Sequence, residues 1–314
     1  MTWAMKCSLC ELLHATPYQR LISALWGSAR PRCGRAASIR SVSSHEDDLA
    51  FAIELARRAG KVLTDGYEKV GRIDYKSKRD VVTDVDFRSE ALVLDAIRLE
   101  YPTDAILAEE SGRHDSKAGA RGAQRLWIID PLDGTVNYAN GIPFYCVSIG
   151  LVEHVQPVVA VIFDPARDDL FSATADGQAC LNGERISASD KDQLSDWVVS
   201  LAVVGRGGLS AERRIGRAVR IHRRMGSAAL SLAYVGSGRF DAFVQNGGLS
   251  PWDVAAAGLI AERSGARVTD LHGGEWWATA SRGKTVSIAA APERHHGELL
   301  SILEGAGTRE RDRS

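Results

Sequence analysis

The chain has 314 residues, with 39 Lys and Arg against 40 Asp and Glu, and 45% of it is hydrophobic. This is the balance of an ordinary globular protein, and it excludes a collagen-like, coiled-coil or wholly disordered chain. The near-zero net charge argues against a dedicated nucleic-acid-binding protein, and no apolar run has the length of a membrane span. The length fits one large domain or two domains with an extensive interface.

The charge is unevenly distributed along the chain. Residues 1–44 carry six basic side chains and one acid, which leaves residues 45–314 with 33 basic and 39 acidic side chains. Such a basic, Ser-containing leader is typical of an organellar transit peptide; an over-long start or a natural disordered tail are the alternatives. We expect residues 1–44 and the charged tail 306–314 to be disordered. We expect the protein to be cytoplasmic, or to be located in a mitochondrion or plastid if the leader is a true transit peptide.

The first half of the body, about residues 45–185, is predicted to begin with helices and continue with strands. A helix over residues 45–70 and a second helix ending before Pro102 flank a polar stretch, Lys76–Asp80, which we expect to be an exposed loop. Apolar runs predict strands at Ala105–Ala108, Leu126–Ile129, Tyr145–Val152, Pro157–Phe163 and Leu170–Thr174. Asn182-Gly183 predicts a tight turn.

The second half, about residues 186–305, alternates strands and helices. The predicted strands are Trp197–Val204, Phe240–Gln245, Ala266–Thr269 and Val286–Ala290. The predicted helices are Ala211–Arg223, Ser227–Val235, Trp252–Ser264 and Glu293–Glu304. No internal repeat or low-complexity linker separates the halves, so we expect them to share one extensive interface.

The segment most indicative of chemistry is an apolar strand that runs directly into two aspartates. Asp130 ends the predicted strand, and Asp133 follows after a proline turn that exposes the Leu132 carbonyl between them. Two carboxylates and a backbone oxygen are the hard ligands that Mg²⁺ favours. Gly134 then permits close approach of an anion, and Thr135 supplies a hydroxyl. Taken alone, this segment could also be an ordinary Asx turn.

Three further acidic segments stand near predicted element ends. Glu109-Glu110 follows a strand, Asp84–Asp86 precedes a helix, and Asp253 lies in the first turn of another helix. Each has an ordinary explanation, respectively a solvated loop, a helix cap and dipole stabilisation. Four such segments together are better explained by convergence on divalent metal ions. The sequence has no P-loop, no dinucleotide-binding glycine motif and no nucleophile elbow.

These four segments resemble the motifs of the inositol monophosphatase family, the Mg²⁺-dependent, lithium-sensitive phosphatases, in order and spacing over about residues 46–305. The resemblance implies a layered α/β sandwich of the sugar-phosphatase type, in which an α+β half carries the metal loops and an α/β half contributes Asp253. It also implies two or three Mg²⁺ ions per subunit and a homodimer. The loop at Lys76–Asp80 corresponds to a mobile segment that closes over the site in family members.

The resemblance also implies a role for each site residue. The first metal would be held by Glu109, Asp130, Asp133 and the Leu132 carbonyl, and the second by Asp130, Asp133 and Asp253. Asp86 and Glu110 would lie beside a more weakly held third ion, and Thr135, hydrogen-bonded to Asp86, would orient the attacking water. The phosphate would meet the amides of Gly134 and Thr135, and the rest of the substrate would meet Gly226, Ser227, Ala228, Asn246 and Asp253.

The predicted activity is hydrolysis of a small phosphate monoester by direct attack of metal-activated water. Asn246 and Ser250 stand where animal inositol enzymes have a glutamate and where a histidine can occur, so the inositol specificity is weakened. We rank inositol monophosphate first and histidinol phosphate second, followed by other small monoesters and bisphosphates, for which Arg223 and Arg224 could bind a second anion. A different class of function, an RNA- or RNA-polymerase-associated regulatory protein, stays open, although no nucleic-acid partner is expected.

Overall fold

The computed structural model describes residues 44–67, 73–77, 80–115, 124–203, 208–282 and 284–305. The basic leader, apart from Ser44, and the tail 306–314 lie outside these ranges, so the expectations for them stay predictions. Among the described residues, no helix combines the length and the apolar character that crossing a membrane requires.

The first part of the body carries three helices and ten strands among its described residues. In chain order they are α1 (Ser44–Gly66), β1 (Ile73–Ser77), β2 (Asp80–Thr83), α2 (Asp84–Glu100), β3 (Ala105–Ala108), β4 (Gly112–His114), β5 (Arg125–Asp133), α3 (Thr135–Ala139), β6 (Cys146–Glu153), β7 (Gln156–Asp164), β8 (Asp169–Thr174), β9 (Cys180–Leu181) and β10 (Glu184–Arg185). Eight of these strands form one sheet in the order β10-β9-β8-β7-β6-β5-β3-β4, in which β3 and β5 pair in parallel. The apolar stripes of α1 and α2 pack on one face of this sheet, around the buried Trp127 and Leu55.

The second part continues with a short 3-10 helix (Leu194–Asp196) and a second sheet. Its elements are β11 (Val198–Val203), α4 (Gly208–Ala218), β12 (Ile221–Arg223), α5 (Ala228–Gly236), β13 (Ala242–Leu249), α6 (Pro251–Arg263), β14 (Ala266–Thr269), α7 (Trp277–Ala280), β15 (Val286–Pro292) and α8 (Glu293–Glu304). The five strands form a sheet in the order β12-β11-β13-β15-β14, with β11 parallel to both of its neighbours.

Three hydrophobic cores stack the elements into layers. The largest core places α5 and α6 between the two sheets, because residues of both sheets and both helices share it. The outer face of the second sheet is covered by α4 and α8. The order of layers is therefore helices, sheet, helices, sheet, helices, which confirms the predicted layered α/β sandwich.

Two of the predicted elements were wrong. Lys76–Asp80 was expected to be an exposed loop, but Lys76, Ser77 and Asp80 belong to the antiparallel hairpin of β1 and β2, since main-chain pairing does not require apolar side chains. Residues 78 and 79 lie outside the described ranges. Residues 221–223 were expected to extend a helix from Ala211. The helix instead ends at Ala218, and residues 221–223 form an edge strand beside β11, where tertiary pairing overrides local helix preference.

Candidate active site

The two aspartates of β5 meet at the end of the strand because the strand is bulged there. The pairing with β6 shifts register between Asp130 and Asp133, so that Pro131 and Leu132 stand opposite a single residue. The predicted proline turn is thus a bulge inside a continuing strand. It turns both carboxylates inward, and Asp130 and Asp133 are 1% and 8% exposed. The Leu132 amide donates to Oδ1 of Asp130 at 3.0 Å and fixes that carboxylate.

A cluster of acids surrounds Asp130. One carboxylate oxygen each from Asp130, Asp133 and Asp253 lie within 4.8 Å of one another. Glu109 joins them because its amide bonds the Ile129 carbonyl, at 3.2 Å, where β3 ends beside β5. Burial, followed by the charges of Glu109, Asp133 and Asp253, raises the pKa of Asp130 well above its usual value. A set of oxygen donors that repel one another fits a divalent cation, which would relieve the repulsion.

Asp86 serves as a helix cap and as a member of the site at once. It is the third residue of α2, and the amide and hydroxyl of Thr83 donate to its Oδ2 at 2.8 and 2.5 Å in a capping box. Its Oδ1 lies 3.0 Å from the hydroxyl of Thr135, which is also 3.0 Å from the Leu132 carbonyl. Burial raises the pKa of Asp86, although the hydrogen bonds from Thr83 and Thr135 oppose the rise.

Asp253 reaches the cluster on α6, and it too is the third residue of its helix. Ser250 caps α6, and its amide donates to Oδ2 of Asp253 at 2.6 Å. The helix can approach β6 because Gly150 has no side chain, and a Cβ there would stand 3.3 Å from both Cβ of Ala255 and the amide of Ala256. The close packing of α6 on the first sheet therefore brings the carboxylate of Asp253 from the second part of the chain to the end of β5.

The N-terminus of α5 points at Asp133. The Ser227 hydroxyl and the Ala229 amide donate to Oδ2 of Asp133 at 2.5 and 2.7 Å, and the Ala228 amide lies 3.4 Å from Oδ1. Burial raises the pKa of Asp133 in spite of these hydrogen bonds. Sequence reasoning assigned Ser227 and Ala228 to the substrate. In the structure their donors are directed to a carboxylate of the protein, and a substrate contact stays a prediction.

Gly134 lies where the end of β5 packs against Ser227 at the start of α5. Its φ of +96° is left-handed, and a Cβ would lie 3.0 Å from the Phe144 carbonyl and 3.2 Å from Cβ of Ser227. Asn137 ties the same parts together, since its side-chain amide donates to the carbonyls of Phe144 and Met225 at 2.7 and 2.8 Å. The loop before α5 is thus held against α3.

Of the other predicted site residues, Glu110 is half-buried beside Glu109, and Gly226 is exposed with a φ of +84°. Asn246 is half-buried within β13, at the irregular part of its pairing with β15, and its Oδ1 lies 3.3 Å from the hydroxyl of Ser287. These positions do not test the predicted substrate contacts.

Sequence reasoning missed two side chains of α2 that support the segments carrying the clustered acids. Glu90 is 3% exposed, and its Oε2 accepts the Glu110 amide at 2.8 Å. The buried Ser89 donates to the Pro131 carbonyl at 3.1 Å. The signal was their spacing, because residues three and four positions after Asp86 share its helix face.

Comparison with known proteins agrees with this geometry. Residues 44–308 match the model of the inositol monophosphatase family. The chain is 37% identical to inositol monophosphatase 2 of Solanum lycopersicum over 244 residues, which are 76% of this chain and 92% of that protein. It is 38% identical to a fructose-1,6-bisphosphatase/inositol-1-monophosphatase of Thermotoga maritima, covering 73% and 87%, and 37% identical to Nus factor SuhB of Escherichia coli K12, covering 72% and 86%.

Solved structures give the same result. The suhB protein of Bartonella henselae has a TM-score of 0.76 at 32% identity, covering 82% of this chain and 98% of that chain. The inositol monophosphatase of Thermotoga maritima has a TM-score of 0.74 at 33% identity, covering 83% and 98%. The fold and the carboxylate cluster agree with the phosphatase class of proteins. The chain belongs to the inositol monophosphatase family.

Proposed function

We propose that the protein is a Mg²⁺-dependent hydrolase of phosphate monoesters and that its substrate is an inositol monophosphate. The observation that carries the proposal is the set of three aspartate oxygens within 4.8 Å, two of them from buried residues and the third from the half-buried Asp253, in a chain that belongs to this family. Burying a carboxylate is costly unless it is paired or binds a metal, and a bound cation would offset that cost here.

The proposed ligands divide between two ions. Glu109, Asp130, Asp133 and the Leu132 carbonyl would hold the first, and Asp130, Asp133 and Asp253 the second. All of these donors are oxygens, which suits Mg²⁺ better than a softer metal. Asp86 and Glu110 would contribute to a third, weaker site.

The chemistry divides between the metal and the chain. Bound Mg²⁺ would neutralise the phosphate dianion and make water a competent nucleophile at neutral pH. The Thr135 hydroxyl carries one hydrogen, so it can donate to Asp86 and direct its lone pairs to a hydrogen of the attacking water. Gly134 leaves room for the phosphate, which the amides of Gly134 and Thr135 would receive. Water then displaces the alcohol directly, without a covalent phospho-enzyme.

The support for an inositol phosphate comes from relatives rather than from a substrate pocket. Two of the relatives carry inositol monophosphatase in their names, and one of these also carries fructose-1,6-bisphosphatase. Asn246 can hydrogen-bond a sugar or cyclitol hydroxyl, but it lacks a charge. Histidinol phosphate and fructose 1,6-bisphosphate are therefore the alternative substrates.

The proposal is tested by a substrate panel measured with Mg²⁺ and with EDTA. We expect Mg²⁺-dependent, lithium-inhibited release of phosphate, and a kcat/KM for myo-inositol 1-phosphate above those for histidinol phosphate and fructose 1,6-bisphosphate. A preference for another monoester would change the substrate but not the class. Activity unaffected by EDTA would contradict the metal-dependent mechanism.

A second candidate function rests on the relatives named Nus factor SuhB. It is binding to RNA polymerase or an RNA-associated partner, in which case the metal site is dispensable. A pull-down with purified RNA polymerase, using wild-type protein and an Asp130→Asn variant, tests this function. Retention by both proteins would support it, and retention by neither would favour the enzyme alone. Light scattering in the same buffers tests the homodimer that the family resemblance implies.

A further inference from the structure

The Ser227 hydroxyl is engaged with two different parts of the structure. It accepts the Leu230 amide at 3.4 Å as the N-cap of α5, and it donates to Oδ2 of Asp133 at 2.5 Å. A hydroxyl has one hydrogen and two lone pairs, so it can make both bonds together. Ser227 is 2% exposed, which keeps solvent from replacing either partner.

The two carboxylate oxygens of Asp133 differ in the hydrogen bonds that they accept. Oδ2 receives the Ser227 hydroxyl and the Ala229 amide at 2.5 and 2.7 Å, and the Cys146 thiol lies 3.9 Å away. The contact found for Oδ1 among the described residues is the longer one to the Ala228 amide, at 3.4 Å. Of the two oxygens, Oδ1 thus accepts the longer and weaker hydrogen bond, which makes it the one better able to bind a cation.

We propose that Ser227 is a positioning residue, which orients the Asp133 carboxylate so that Oδ1 faces the cation shared with Asp130 and Asp253. This inference rests on the proposed metal-dependent function. The hydroxyl comes from a helix 94 residues further along the chain than Asp133. It therefore couples the docking of α5 to the geometry of the metal site at the end of β5. Partners of this kind that orient metal ligands typically contribute 10- to 100-fold to metal affinity, as an order of magnitude.

The alternative is that Ser227 serves only as a helix cap. Two variants separate these roles. Ser227→Gly removes the hydroxyl but costs only about a few tenths of a kcal/mol as an N-cap, whereas Ser227→Ala removes the bond to Asp133 and disrupts the cap. Ser227→Thr retains the hydroxyl. Ser231→Ala is the matched control, because the hydroxyl of this serine in the same helix is also buried but donates to the Ser227 carbonyl at 2.6 Å.

The experiment is a calorimetric Mg²⁺ titration of each purified protein without substrate, together with thermal unfolding in EDTA. We expect the Kd for Mg²⁺ to rise by about 10-fold in both Ser227→Ala and Ser227→Gly. Ser227→Thr should bind within about twofold of wild type, and so should Ser231→Ala. If Ser227→Ala and Ser227→Gly unfold at different temperatures but lose Mg²⁺ affinity equally, the loss of affinity does not come from a loss of stability.

Wild-type Mg²⁺ affinity in Ser227→Gly would overturn the inference, and so would an equal loss in Ser231→Ala. Asp133→Asn separates this failure from that of the proposed function. If wild type binds Mg²⁺ and Asp133→Asn does not, the metal site stands whatever the Ser227 variants do. If Asp133→Asn binds as tightly as wild type, the metal assignment fails together with the inference.

Discussion

The two ends of strand β5 gather acidic side chains in opposite ways. At the first end, Asp48, Asp104 and Glu153 all accept hydrogen bonds from the guanidinium of Arg125, at 2.7, 2.9 and 2.8 Å. Toward the other end, roughly 17 Å along the strand by its rise per residue, Asp130 lies among other acids. At the first end, the cation is the side chain of Arg125. The groups that most raise the pKa of Asp130, after burial, are three carboxylates.

This difference indicates what each cluster is for. Burial acts to lower the pKa of Arg125, but the hydrogen bonds that it donates to Asp48 and Asp104 raise it above its usual value. The guanidinium therefore stays charged and ties α1, β5 and β6 together. The cluster around Asp130 stores repulsion that a bound cation would relieve. We therefore interpret the cluster around Arg125 as one that stabilises the fold, and the cluster around Asp130 as one that binds a cation.

The largest expected effect comes from Asp130→Asn. We expect activity in saturating Mg²⁺ to fall at least about 100-fold, beyond what loss of a residue that merely supports a metal ligand typically costs. In EDTA the same variant should unfold at a higher temperature than wild type, by about 2 °C or more, because one of the repelling charges is gone. Calorimetry with and without Mg²⁺, beside a phosphate-release assay, measures both effects. Near-wild-type activity would contradict the site assignment.

Arg125→Met tests the other end and should affect stability rather than chemistry. Three acids would lose their shared cation, and we expect the free energy of unfolding to fall by about 3 kcal/mol. This is the lower end of the cost of breaking a buried ion pair, because a quarter of the arginine side chain is exposed. The control is Arg57→Met, whose pair with Asp168 is largely exposed and is worth less than about 1 kcal/mol.

Urea unfolding measures both arginine variants, and kcat is compared at a temperature where each is folded. We expect kcat to stay within about twofold of wild type, since Arg125 lies far from Asp130 along β5. Equal destabilisation by the two variants, or a large loss of kcat in Arg125→Met alone, would break the contrast between the two ends.

Much of the site could be predicted because its ligands follow regular elements. Two of the signals are local patterns in the sequence: an apolar run that ends in Asp130, and an aspartate in the first turn of α6. The capping explanation and the site explanation for Asp86 were treated as alternatives, but Asp86 does both, because a carboxylate has two oxygens. Ser227 as a partner of Asp133 could not be predicted, since nothing local connects residues 94 positions apart.

The errors in the fold have the same origin. The polar residues around Lys76 indicate a loop by composition, but their backbone pairs across a hairpin. Residues 221–223 follow a helical pattern, but β11 offers them a parallel partner. Pro131 lacks an amide hydrogen, which suggested a turn, and the strand accommodates it in a bulge. In each case pairing with a distant segment decided the structure, and a local pattern carries no information about that segment.

The smallest expected effect tests how tightly the strand end of the site is held against α5. Gly134→Ala should destabilise the protein by about 1–3 kcal/mol, because the backbone there is left-handed and the new methyl group would crowd the Phe144 carbonyl and Ser227. Gly141→Ala is the matched control, since its φ is +70° but a Cβ there meets nothing within 4 Å. Subtracting its unfolding free-energy change, about 1 kcal/mol for the left-handed backbone alone, leaves the cost of the crowding. We expect that remainder to be accompanied by weaker Mg²⁺ binding, because the backbone of Gly134 lies between Asp133 and the serine that bonds it. If the two variants are equally destabilised and bind Mg²⁺ alike, the strand end and α5 are not rigidly joined at this point.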